Sequence, residues 1–178
     1  GRHHLPPPQG QVLRRLMHAI DVVGGEQWEV VRDLRLRALH HDPDAFASTY
    51  EAESLFDESR WRSFIADVDV IVVKVDGEPA AMVTVDSSRH DGDVAAWLGG
   101  LWVEPRFRGH GLVRAIVSFF DDQRDTYQWH SLGLGVFTHN PDARNKFLSL
   151  GFVDDGEELP SVSRPPLRYQ RMIRRPQA

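Results

Sequence analysis

Val103-Glu104-Pro105-Arg106-Phe107-Arg108-Gly109-His110-Gly111-Leu112-Val113 reads as the end of a strand, a glycine-bearing loop and the first turn of a helix. The first amides of a helix have no intrahelical acceptor and lie at the positive end of its dipole. Glycines there let a pyrophosphate approach bare backbone, so the segment reads as an anion site to which Arg108 adds a fixed positive charge. A tight turn with a solvated arginine would carry the same letters. An NTPase phosphate loop needs Gly-Lys-Ser/Thr, and a dinucleotide fingerprint needs a third glycine where Arg114 stands, so both are excluded.

Upstream of this loop, Val94 to Val103 is a strand, preceded by a polar loop from Ser87 to Asp93. Val70 to Val75 and Pro79 to Val85 are apolar, β-branched runs around Asp76-Gly77, a hairpin signal. Asp57 caps a helix reaching Asp67, with Trp61, Phe64, Ile65 and Val68 at helical spacing. Met17 to Val23 is a first strand. Glu26 to Leu39 is a helix with Trp28, Val31, Leu34, Ala38 and Leu39 on one stripe, broken by Asp42-Pro43-Asp44. Downstream, the periodicity predicts a helix from Leu112 to about Arg124, a strand from Ser131 to Thr138, and a helix from Pro141 to Leu150 stopped by Gly151. Phe152 to Asp155 and Leu167 to Ile173 are closing strands around a loop rich in proline and serine. The order describes a mixed α/β sheet with helices on both faces rather than a doubly wound nucleotide fold.

The chain has 178 residues, 41% of them hydrophobic, which suits one domain over residues 12–178. Gly1 to Gln11 contains three consecutive prolines and reads as a disordered arm or an expression remnant. With no cysteine there is no disulfide framework, thiolate zinc site or cysteine nucleophile, which favours a reducing, cytoplasmic setting. The net charge of -5 exerts no global pull toward nucleic acid or anionic membrane and leans toward cationic substrates. No apolar run is long enough for a membrane span, so a soluble protein is expected. The nine histidines show no metal spacing, His40-His41 reads as a solvated helix end, and no metal is expected. Nothing reads Gly-x-Ser-x-Gly, so a serine hydrolase elbow is excluded.

Leu101-Trp102-Val103-Glu104-Pro105 followed by Arg108-Gly109-His110-Gly111 resembles the acetyl-CoA pyrophosphate motif of the GNAT N-acetyltransferases of bacterial type. Asn140-Pro141-Asp142-Ala143, then Phe147 and Gly151-Phe152, is similar to a second segment of that family, in the same order. Arg35-Leu36-Arg37-Ala38-Leu39 with Asp42-Pro43-Asp44-Ala45-Phe46 resembles its substrate-side helix region. The resemblance implies a mostly antiparallel sheet with splayed central strands. It also implies acetyl-CoA as co-substrate, bound by Leu101, Trp102, Val103, Arg108, Gly109, His110, Gly111, Leu112, Val113, Asn140 and Phe147. Arg114, Arg144 and Lys146 are candidates for the outer phosphate. The implied reaction is direct attack of a primary amine on the thioester in a ternary complex, the oxyanion being stabilised by a backbone N–H near Leu101 to Val103. The acceptor would be a small molecule or a protein or peptide; a homodimer is left open.

Two positions depart from the family pattern. Val113 replaces the last small residue of the motif, and its side chain is expected in the core. Phe147 stands where relatives often carry a tyrosine proposed to protonate the leaving thiolate, and Thr138 and His139 are nearby in sequence.

Further features bear on the site. Gly99-Gly100 in one strand and Gly133 with Gly135 in the next suggest a bulge or close ligand approach, where the resemblance places the pantetheine arm; simple tolerance is the alternative. Asn140 before Pro141 is a helix cap that keeps an amide nitrogen for the cofactor. Glu51 and Glu53 fall on the acceptor side, and Glu51 is the first candidate for a general base, against the plainer reading of surface carboxylates. The loops from Pro43 to Phe56 and Glu157 to Pro166 are expected to shape the acceptor pocket. The alternative from another class is a non-catalytic acyl-CoA sensor, and a weaker one is transfer to a hydroxyl.

Overall fold

The computed structural model describes residues 17–89 and 94–175; the proline-rich start and residues 90–93 of the polar loop lie outside the described residues. Strand β1 (His18–Val23) leads through a 3-10 turn, Gly25–Gln27, into helix α1 (Trp28–His41), which buries Val31, Leu34, Ala38 and Leu39. A second 3-10 turn, Pro43–Ala45, separates it from one-turn helix α2 (Tyr50–Glu53), whose Thr49 cap accepts from the Ala52 amide at 3.2 Å. Helix α3 (Glu58–Asp67) is capped by Asp57, which accepts from the Arg60 amide at 2.8 Å, and it buries Trp61 and Ile65.

Strands β2 (Asp69–Val75) and β3 (Glu78–Asp86) form the expected hairpin. Asp76 and Gly77 at its tip have φ of 49° and 83°, the two left-handed positions that match the twist of a tight hairpin. There follow β4 (Ala96–Val103), α4 (Leu112–Tyr127), β5 (Leu132–Phe137), α5 (Pro141–Ser149), β6 (Val153–Asp154), β7 (Leu159–Pro160) and β8 (Arg168–Arg174). Neither α2 nor β7 is foreseen from the sequence, because pieces this short show no period.

The strands make one eight-stranded sheet in the order β1-β2-β3-β4-β5-β8-β6, with β7 also on β8. Every pairing is antiparallel except β4 with β5. Ile71, Val73 and Val75 of β2 pack with Ile116 and Phe120 of α4, while Val70 and Val72 pack with Leu34 and Leu39 of α1. Such a strand is apolar on both sides because helices cover both faces. Among the described residues, no helix is long and apolar enough to cross a membrane.

Candidate active site

The site begins with a defect in the sheet. Met82 of β3 pairs with Trp102, and Thr84 with Gly99, so Gly100 and Leu101 together face Val83. This is a β-bulge, which bends its strand, and Gly100 adopts the left-handed φ of 57° that it requires. The Thr84 hydroxyl donates to the Gly99 carbonyl at 3.0 Å and fixes the preceding residue. On the other edge of β4, pairing with β5 is confined to Ala96 with Leu132 and Trp97 with Gly133. Beyond that point the two strands no longer pair, and a cavity of about 820 Å³ is lined by Leu98–Leu101 and Leu134–Phe137, within the range of ligand pockets. His139, Asn140, Ala143 and Phe147 continue its wall, as do Asp42–Ala47 and Ser161–Ser163.

At the end of β4, the loop passes through a 3-10 turn, Pro105–Phe107, to Gly109 and Gly111, whose φ values are 80° and 78°. A Cβ on either glycine would meet nothing within 4 Å, so both serve the backbone conformation and leave the loop uncovered. No side chain caps α4, and its first turn closes with the Ala115 amide on the Gly111 carbonyl at 3.0 Å. The amides of Leu112, Val113 and Arg114 are therefore among those a helix cannot satisfy internally. The side chains of Leu112 and Val113 are buried in the core, while His110 and Arg114 are exposed.

Arg108 is half-exposed and engaged. Its Nε donates to the Val103 carbonyl at 3.0 Å, and its Nη2 donates to Asp42 Oδ2 at 2.8 Å. The same carboxylate oxygen accepts from Trp102 Nε1 at 2.7 Å. Partial burial works to raise the Asp42 pKa, but the hydrogen bonds from Trp102 and Arg108 and the positive charge beside it hold it below the usual 3.8. His41 stacks on Trp102 with ring centroids 6.2 Å apart and lines the same cavity.

The Acetyltransferase (GNAT) family model matches residues 29–152, from the first turn of α1 to just past α5, which includes the bulge and the glycine loop before α4. The chain belongs to the GNAT acetyltransferase family. Among curated proteins none matches the sequence. Solved structures share the fold. A GNAT acetyltransferase from Streptococcus pneumoniae is 15% identical with a TM-score of 0.71, covering 90% of this chain and 100% of its own. The yncA protein of Salmonella typhimurium, solved with its cofactor acetyl-CoA, is 16% identical with a TM-score of 0.70, covering 91% of this chain and 95% of its own. A ribosomal-protein-alanine N-acetyltransferase from Brucella melitensis is 17% identical with a TM-score of 0.70, covering 88% and 99%.

On this GNAT framework, the sequence candidates fall into groups. Leu101, Asn140 and Phe147 line the cavity, and Trp102, Val103 and Arg108 to Arg114 run from its β4 wall into the anion loop. Asn140 Oδ1 caps α5 by accepting from the Ala143 amide at 3.2 Å, which leaves its NH₂ to donate elsewhere. Phe147 is partly buried and meets Phe152 edge to face, centroids 5.5 Å apart. His139 lines the cavity, stacked on Phe137 at 5.4 Å, whereas Thr138 is not part of the lining. Arg144 is paired with Asp154, which its hydrogen bonds hold below the usual carboxylate range, while Lys146 is exposed.

The two acceptor-side glutamates do not reach the cavity. Glu51 is exposed on α2, and Glu53 is buried against Arg35, whose Nε and Nη2 each donate to it at 2.9 Å. The β5 glycines have a cause the sequence hides: a Cβ on Gly133 would sit 3.0 Å from the Trp97 ring, and one on Gly135 would sit 3.0 Å from the Tyr169 ring. They make room for aromatic walls rather than forming a bulge. Trp97 lies under two guanidinium groups, Arg89 at 5.0 Å and Arg171 at 4.7 Å. Asp42 is not singled out as a site residue by the sequence, where it stands only as the first residue of the helix-breaking Asp42–Phe46 segment that resembles the family's substrate-side region.

Proposed function

We propose that residues 12–178 act as one catalytic domain that transfers the acetyl group of acetyl-CoA to a primary amine by direct attack in a ternary complex. The observation that carries this reading is the joining, at the end of β4, of an uncapped, uncovered helix start to an open gap between β4 and β5. The first suits a pyrophosphate and the second an extended arm such as pantetheine. The amides from Gly109 to Arg114 and the Arg108 side chain would hold the pyrophosphate, with Arg114 the freer choice for the outer phosphate because Arg144 is engaged by Asp154. Backbone N–H groups of Leu101 to Val103 and the Asn140 NH₂ would hold the arm, and Phe147 would wall it.

Acetyl-CoA supplies an activated thioester and a leaving thiolate. The protein must supply a neutral amine and a place for the developing oxyanion charge. An alkylammonium with a pKa near 10.4 is only about a thousandth neutral at pH 7, a barrier of about 4 to 5 kcal/mol that a base or ordered water must address. Glu51, outside the cavity, would act only through water; His41 and His139 line the cavity and are nearer proton acceptors. The charge on oxygen falls to a backbone N–H of the bulged strand. Phe147 has no proton to give, but a thiolate whose thiol resembles cysteine, pKa about 8.5, leaves tolerably near neutrality and is protonated late.

Sustained CoA release from acetyl-CoA with one member of a panel of alkylamines, polyamines, amino acids and peptides, and none without it, is the expected result. Phe147 favours a second reading, a sensor that binds acyl-CoA without chemistry; saturable CoA binding with no release across the whole panel would support it. Absence of CoA binding would remove both.

A further inference from the structure

Asp42 ends α1 and lines the cavity, yet it is tied to the anion loop. Both of its side-chain hydrogen bonds, from Trp102 at 2.7 Å and from Arg108 at 2.8 Å, use Oδ2. Oδ1 has no partner among the described residues. The other carboxylate lining this wall, Asp44, is 89% exposed and lies 3.8 Å from Arg164. Asp42 is therefore the carboxylate of the wall whose position is fixed, and its charge is neutralised by the arginine of the anion loop.

A pyrophosphate beside the first amides of α4 competes for that arginine with more negative charge than one carboxylate carries. When Arg108 turns to it, Asp42 keeps the Trp102 bond and so keeps its place. What remains is an oriented carboxylate on the cavity wall without its cation, a partner for an ammonium group.

We infer that Asp42 is the acceptor-binding carboxylate of this site, masked by Arg108 until the cofactor's pyrophosphate takes that arginine, so that the preferred acceptor is a cationic amine binding second. This rests on the acetyl-CoA reading above. The step is an exchange of ion pairs; no covalent bond changes.

The test is calorimetric titration of CoA, and separately of n-butylammonium, into wild type, Asp42→Asn, Arg108→Gln and the double variant. Asparagine can still accept from Trp102, so Asp42→Asn should melt close to wild type. A half-exposed ion pair contributes little, so losing the competitor should tighten CoA binding by about two- to fivefold in Asp42→Asn. Arg108→Gln should bind CoA more weakly, and the double variant should bind it no more tightly than Arg108→Gln, because Asp42 competes only where the arginine exists. Butylammonium should bind CoA-loaded wild type several-fold tighter than CoA-free wild type, and this gain should vanish in Asp42→Asn. CoA-free Arg108→Gln, with Asp42 already unmasked, should bind it like CoA-loaded wild type; this arm stands even if Asp42→Asn folds poorly. Equal butylammonium affinity with and without CoA, or CoA binding no tighter in Asp42→Asn, overturns the masking while leaving the cofactor reading intact. Failure of wild type to bind CoA overturns both.

Discussion

At position 147, a ring without a hydroxyl lines the cleft and packs on Phe152, so its contribution is one of shape. Phe147→Ala is expected to cost about 1–3 kcal/mol in chemical denaturation, below the 3–5 kcal/mol typical of a fully buried phenylalanine, and to weaken CoA binding. Phe147→Tyr should keep or raise turnover, since a positioned acid typically contributes about 10²- to 10⁴-fold. A Phe147→Ala protein of normal stability and CoA affinity but without turnover would refute this role. At Asp42 the sign of the pH effect follows from its lowered pKa. A carboxyl held below 3.8 in the folded state stabilises the fold above that pH, and loses the contribution as the pH falls through the folded value. The stability difference between wild type and Arg108→Gln should therefore be present at neutral pH and shrink below 3.8. A difference unchanged in acid would show that Arg108 stabilises through Val103 alone.

Among the elements, β4 decides the site, and its bulge depends on one residue. Gly100 holds a φ of 57°, and an added Cβ would lie 2.8 Å from Arg35 Nη1. That guanidinium is fixed on buried Glu53 by two bonds and has little room to yield. Gly100→Ala therefore combines left-handed strain of about 1–2 kcal/mol with a clash, and a loss of about 2 kcal/mol or more is expected in denaturation. The same substitution should weaken CoA binding, because relaxing the bulge moves β4 back toward β5; retained affinity would detach the bulge from the cleft. The Gly99-Gly100 pair points in the sequence to a bulge, a close ligand approach or mere tolerance, and the register shift between Met82 and Thr84 selects the bulge. Gly133 and Gly135 look alike on paper, yet they answer to Trp97 and Tyr169, and nothing local to β5 names those partners.

For the whole molecule, the sheet consists of β1 to β4 on one side and β5, β8, β6 and β7 on the other, joined through the short parallel contact of β4 with β5. The order of these parts was legible, since each long element carries its own period and the anion loop and Asn140 segment fix where the central strands end. The far wall of the cavity was not, because Asp42, Trp97, Ser161 and Tyr169 come from segments remote in sequence and meet only in the fold. The loops from Pro43 to Phe56 and Glu157 to Pro166 were expected to shape an acceptor pocket, and parts of both line the cavity, but the generic chemistry of their residues could not say which would be held in place. A ligand lying in the gap contacts both halves of the sheet and binds only while they are assembled, so it must stabilise the whole. At a free concentration about 100 times its Kd, CoA should add about 2.7 kcal/mol, raising Tm by about 5–10 °C for a chain of this size. The added protection from amide exchange should concentrate in the C-terminal part of β4, in β5 and in the first turn of α4, because those backbones are the ones left unpaired around the cleft. A Tm rise whose protection fell instead on the hairpin of β2 and β3 would place the ligand elsewhere and detach the cleft from CoA.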